Sequence, residues 1–181
     1  MFRKLDIFHI RNFLVILLVL TTVVSGLPLS YADREITMQK VVNVKEESLL
    51  KVISDLSQYP QIFPENVRSV KLLDNETKLV EMNAGVSGIF FNTQAIYTIG
   101  SDDKYVIKVI SGDLKGTTMT TAVQKTWGFD GEKDKGTITY INLDLKTSGL
   151  LSWILDFVPD SSLSYALENG IDKFVERAKM F

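Results

Sequence analysis

From Val67 to Lys146, apolar and polar residues alternate in runs of about six to twelve, each closed by turn formers, and this rhythm predicts six antiparallel strands. The closing clusters are Asp74 to Glu76, Ser87 with Gly88, Gly100 to Asp103, Gly112 with Asp113 and Gly116, and Asp130 to Gly136. Successive strand side chains point to opposite faces, so parity identifies the dry side. Ile141, Leu143 and Leu145 oppose Asn142, Asp144 and Lys146. Phe91, Ala95, Tyr97 and Ile99 oppose Asn92 and Gln94, and Tyr105, Ile107 and Val109 oppose Lys108. Met119, Val123, Trp127 and Phe129 share a parity that Lys125 interrupts.

Both flanks add to this meander. Arg34 to Val44 alternates loosely through Ile36, Met38, Val41, Val42 and Val44 and reads as a first strand. Glu46 and Glu47 then suit the positive end of a helix whose apolar face is Leu49, Val52, Ile53 and Leu56. Tyr59-Pro60 and Phe63-Pro64 break the pattern, because proline lacks a donor and disfavours helical geometry before it. After Gly149, Leu150 to Leu155 is an apolar lip or a short helix. Pro159 and Asp160 announce a final helix, with Asp160 as N-cap and Leu163, Leu167, Ile171, Phe174 and Ala178 on one face. That helix is about 20 residues, or ~30 Å, long and spans a whole sheet. Gly170 in its middle costs roughly 1 kcal/mol of helix propensity relative to alanine, which predicts close approach or bending there.

A bent sheet closed by one helix tends to leave space at its middle. The strand residues expected around that space are Phe91, Tyr97, Ile107, Val109, Met119 and Thr121, then Trp127, Phe129, Thr139, Ile141 and Leu143. The helix contributes Leu167, Ile171 and Phe174, while Tyr97, Thr121 and Thr139 are the polar anchors. The competing reading of each single residue is ordinary core.

The first 32 residues change the setting. Arg3, Lys4 and Arg11 precede an almost uncharged run from Phe13 to Leu29, and Ser30 and Ala32 offer small residues at a cleavage site. Residues 1–32 are therefore a signal peptide, or a membrane anchor at the lower limit of spanning length. Either outcome puts residues 33–181 outside the cytoplasm, secreted or held at the membrane. The chain has no cysteine and one histidine, His9, within the leader, so disulfides, thiolate nucleophiles and sulfur-bound metals are excluded. Without the leader's three basic residues and one acidic residue, 20 − 3 basic residues face 22 − 1 acidic ones, a poor balance for nucleic acid.

Isolated polar features add little. Glu81 and Lys125 lie inside strands, where solvent-facing positions explain them better than buried acid or base. Asp130, Glu132 and Asp134 alternate as in a calcium loop, but Ile141 stands where the closing glutamate belongs, so a hairpin turn is the better reading and no metal is expected. Asn75-Glu76-Thr77 forms a glycosylation sequon at a turn.

The segment Asp55-Leu56-Ser57-Gln58-Tyr59-Pro60-Gln61-Ile62-Phe63-Pro64, with the element order, resembles the START-like (SRPBCC, helix-grip) superfamily, in its polyketide cyclase, coenzyme-Q-binding and lipid-transport branches. Phe174 to Ala178 is similar to the ending of the coenzyme-Q-binding branch. The resemblance spans about Glu35 to Met180 and implies an α+β helix-grip fold: a seven-stranded curved antiparallel sheet wrapped on a long C-terminal helix, with two short helices between strands 1 and 2. It implies no shared catalytic signature.

The function expected is non-catalytic binding or transport of a hydrophobic small molecule, such as a lipid, isoprenoid or quinone, with no cofactor. The alternatives are a cyclase or dehydratase using the same cavity, and an accessory domain bound to an envelope protein. Leu150, Leu151, Trp153 and Ile154 are the expected membrane-surface contact.

Overall fold

The computed structural model describes residues 32–86, 88–100, 104–128, 131–133 and 136–181. Residues 1–31, Phe129, Asp130 and Asp134 lie outside the described residues, as does the side chain of Leu150.

In chain order the elements are β1 Ala32–Val42, α1 Glu46–Ser54, a 3-10 turn Leu56–Gln58, α2 Tyr59–Ile62, β2 Val67–Asp74, β3 Leu79–Val86, β4 Ile89–Ile99, β5 Lys104–Val109, β6 Thr118–Thr126, β7 Gly136–Thr147, α3 Gly149–Leu155 and α4 Asp160–Ala178. The seven strands form one curved antiparallel sheet in the order β1-β7-β6-β5-β4-β3-β2. Only β1 departs from hairpin succession: it pairs with β7 at one edge, and α1 and α2 carry the chain across to β2 at the other. The helix-grip arrangement implied by the sequence is the one observed, and the apolar run after Gly149 is a helix.

Register explains the dry face. One row runs Met38, Ile141, Thr121, Tyr105 across β1, β7, β6 and β5, and the next runs Ile36, Leu143, Met119, Ile107, Tyr97. Against this face lie Leu49, Val52 and Ile53 of α1, all 1% exposed or less, and Ile171, Phe174, Val175 and Ala178 of α4. Full burial of each large aliphatic side chain stabilises the fold by roughly 1.5–3 kcal/mol relative to exposure. A smaller cluster under α3 contains Leu145, Leu151 and Leu155, with Phe91, Leu114, Leu143, Val158 and Leu163 packed on it.

Local chemistry sets the helix ends. Lys125, the interruption in the β6 pattern, brings its Nζ to 3.8 Å from Glu46 and 3.7 Å from Glu47, and so matches the acidic first turn of α1. Asp160 is not the N-cap of α4: Pro159 holds that position, and Asp160 enters the first turn, 3.5 Å from Arg34. The Arg34 guanidinium also donates to the Val158 carbonyl at 2.5 Å, tying β1 to the corner between α3 and α4. Among the described residues no helix is long and apolar enough to cross a membrane.

The Asp55 to Pro64 segment makes the tight corner that its prolines predict. The Asp55 carboxylate accepts from the Ser57 backbone N–H and hydroxyl and from Gln58 Nε2 at 2.6 Å, while Gln58 Oε1 accepts from Arg177 Nε at 2.8 Å. The Ser57 hydroxyl, then the Gln58 amide, hold the Asp55 carboxyl below the usual carboxylate range against the opposing effect of burial. A folded pKa below the unfolded value of 3.8 gives stability that is complete above that value and lost as pH falls through the folded one. Acid unfolding below about pH 4 is therefore expected to be steeper for the native chain than for Asp55→Asn; parallel stability curves in this range would show that Asp55 has no such role.

Candidate functional site

Between the inner face of β6 and β7 and the helices α1, α2 and α4 lies a cavity of about 220 Å³. The sheet supplies Met119, Thr121 and Ile141; α1 supplies Ile53; Tyr59 and Phe63 come from α2 and its C-terminal cap; α4 contributes Ala166, Leu167, Gly170, Ile171 and Phe174. On the α4 side the space is bordered by Ala166, which is exposed and carries only a methyl group, and by Gly170, which has no side chain. Larger residues at these two positions, one helical turn apart, would narrow its outer edge.

Three rings form the helix-side wall. Phe63 meets Phe174 edge to face at 5.0 Å and Tyr59 at 5.8 Å, and Tyr59 lies 5.3 Å from Phe174 at a tilt. These separations fall in the favourable range for aromatic pairs, so each ring is held by the other two. The Tyr59 hydroxyl donates to the Ile53 carbonyl at 2.8 Å, and burial pushes its pKa well above the ordinary phenol value. Thr121 brings the other side-chain hydroxyl, and no carboxylate, lysine or arginine lines the cavity. Its lining is uncharged and almost wholly apolar.

No protein-family model matches this chain, and no curated protein matches it. Solved structures do. A START superfamily protein from Mycobacterium smegmatis superposes with a TM-score of 0.58 at 12% identity, covering 82% of this chain and 94% of its own. A protein from Thermus thermophilus superposes at 0.66 and 12% identity, covering 81% of this chain and 98% of its own. Norcoclaurine synthase from Thalictrum flavum, in complex with dopamine and hydroxybenzaldehyde, superposes at 0.55 and 12% identity, covering 81% and 88%.

The chain has the START-like fold.

Within this START-like domain the residues expected around a central space separate into groups. Met119, Thr121, Ile141, Leu167, Ile171 and Phe174 line the cavity. Tyr97 and Ile107 pack half-buried on the main core beside it, and Val109, also half-buried, lies farther along β5. Phe91 and Leu143 belong to the cluster under α3. Trp127 needs correction: it is 62% exposed and does not face the interior. The ladder ends where Thr126 pairs with Gly136, so parity stops applying one residue before Trp127. A side chain at Gly136 would collide with the Trp127 carbonyl, so only glycine suits this close crossing. Glu81 is exposed, and Asp144 is 45% exposed and 3.4 Å from Lys146, so neither is a buried acid or base.

Ile53, Tyr59, Phe63, Ala166 and Gly170 were not anticipated as lining. Their signals were present: two aromatic-proline corners, and small residues four apart on the apolar side of a long helix. The rings at these corners both close the turn and wall the cavity.

Two hydroxyls next to the cavity are buried without a partner among the described residues, those of Tyr105 and Thr139. Thr139 is fully buried on the inner face of β7, two residues from Ile141. An unsatisfied buried hydroxyl costs roughly 1–3 kcal/mol, whereas an apolar group of the same shape there costs nothing comparable. Thr139→Val is expected to raise the melting temperature by roughly 2–4 °C per kcal/mol recovered. A lower melting temperature would mean that the hydroxyl is bonded after all.

Proposed function

We propose that this START-like domain binds an uncharged hydrophobic small molecule in the cavity between sheet and helices, and carries or senses it rather than converting it. The observation that supports this most directly is the lining: aromatic and aliphatic side chains on every wall, and hydroxyls from Tyr59 and Thr121 only. Tyr59 is a poor proton donor, because burial holds its proton and its hydrogen bond goes to Ile53. A cyclase-like reaction would thus have no carboxylate within the lining to act as acid or base.

Size narrows the ligand. A dry cavity of about 150 Å³ accommodates benzene, and drug-sized ligands use roughly 300–1,000 Å³. At about 220 Å³ this cavity fits one or two rings, or one stretch of a longer lipid, isoprenoid or quinone. Burying about 250 Å² of such a ligand offers roughly 6 kcal/mol gross at ~25 cal/mol/Å², from which association costs subtract. One protein of this fold supports this scale: the norcoclaurine synthase structure holds dopamine and hydroxybenzaldehyde, both single-ring molecules.

The leader of positive residues followed by an apolar run supports a location outside the cytoplasm, secreted or membrane-held. The membrane contact we assign to the end of α3 is Trp153 with Phe157, 64% and 74% exposed and stacked edge to face at 5.7 Å, flanked by Ile154. Leu151, expected there from the sequence, is instead buried beneath α3.

Native mass spectrometry of gently purified protein, followed by solvent extraction, tests the binding reading. A bound apolar molecule released on unfolding is the expected result. Protein that stays ligand-free and takes up no ring compound would end it, and a bound envelope protein at Trp153 and Phe157 would favour the accessory-domain alternative.

A further inference from the structure

The cavity has a neighbour. A groove of about 430 Å³ runs along the outside of α2 and α4, and Phe63, Ala166 and Gly170 line both it and the cavity. The inner space and the groove therefore meet at those three residues. Gly170 has no conformational reason to be glycine: it sits in regular helix, and a Cβ built there meets only Phe63 Cε1, at 4.0 Å. A glycine that weakens the helix without serving its backbone leaves one consequence, a gap one side chain wide opposite the Phe63 ring. Phe63 itself is half-buried, follows the last residue of α2, and rests on Phe174 at 5.0 Å, so swinging its ring uncovers the aromatic wall behind it.

The groove also has a sign. Glu65, Asp172 and Glu176 line it against one cation, Lys173, whose Nζ lies 5.7 Å from the Phe63 ring centre. Asp172 is already paired with Lys40 at 2.8 Å, while Glu65 and Glu176 add their charge to the approach. Fields of this kind slow the entry of like-charged molecules, most strongly at low salt.

We propose that ligands enter the cavity between α2 and α4 through the gap left by Gly170, with Phe63 as the side chain that swings aside, and that the carboxylates of the groove select neutral compact ring compounds over carboxylates. This rests on the cavity being a ligand site, and the test separates the two claims.

The probes are 1-naphthol and 1-naphthoate, of equal ring size and different charge, followed by stopped-flow fluorescence on the purified protein. Gly170→Leu is expected to slow both association and dissociation of 1-naphthol by about tenfold, because a blocked passage acts on rates in both directions, whereas a leucine that only took up ligand space would speed dissociation. Gly170→Ala, which places one methyl group in the gap, slows entry less than Gly170→Leu does. Should Gly170→Leu fail to fold, Phe63→Ala serves instead, and its association is faster than native. The native protein takes up 1-naphthoate about tenfold more slowly than 1-naphthol at low salt, and Glu65→Gln with Glu176→Gln narrows that difference. If 1-naphthol does not bind the native protein at all, the cavity reading fails. If it binds but enters Gly170→Leu or Phe63→Ala at the native rate, the passage lies elsewhere. Equal uptake of the two probes overturns the charge selection.

Discussion

Phe174→Ala is expected to cost roughly 3–5 kcal/mol of stability, the range for emptying an aromatic site in a packed interior. For a domain of this size that lowers the melting temperature by roughly 6–20 °C. Phe174 is 7% exposed and is the ring on which both Tyr59 and Phe63 rest. Its removal enlarges a cavity that already exists, so the neighbours have little to collapse onto and the cost sits at the upper part of the range. Thermal and denaturant unfolding measure it. A loss under about 1 kcal/mol would mean that the three rings do not form the wall described, since no packed phenylalanine is removed so cheaply.

Met119→Trp acts in the opposite direction. Met119 points from β6 into the cavity and is only partly buried, so an indole at this position grows into the space rather than into packed atoms. A benzene-sized guest needs on the order of 150 Å³, so one added ring leaves too little of the original space for another. Uptake of a neutral ring compound is expected to fall at least ~100-fold, while stability changes by less than about 1.5 kcal/mol, as for volume changes that surroundings can absorb. Equilibrium binding and a melting curve on the same sample read both quantities. Undiminished uptake by a folded Met119→Trp protein would move the site away from this cavity, and with it the proposed function.

These two variants differ because the interior is unevenly filled, and the sequence announces only part of that. Strand parity placed Met119, Thr121 and Ile141 on the inner face, and helical spacing placed Leu167, Ile171 and Phe174 opposite them, so half of the wall follows from period alone. Val109, Leu143 and Phe91 obey the same parity yet lie elsewhere, because parity gives a face and not a position along it. Trp127 shows where period fails, at the residue after a ladder ends, when nothing dictates direction. Tyr59 and Phe63 show the converse. Their prolines foretold a corner, but the rings became cavity wall only because α4 crosses the sheet beside them.

The amino-acid order by itself determined the elements, their succession and the dry side of each strand, because these depend on contacts between residues close in sequence and on the fixed periods of helix and strand. It also carried basic residues followed by an apolar run at the N-terminus and the absence of cysteine, and with them the expectation of an exported, bridge-free domain. Which apolar residues touch one another and which border open space was decided by the tertiary structure alone. That distinction depends on how closely a helix approaches a sheet, a distance set by side-chain volumes far apart in the chain, and here by the small residues Ala166 and Gly170 of α4 and by Thr121 and Ile141 of the sheet, which all border the same 220 Å³ or so.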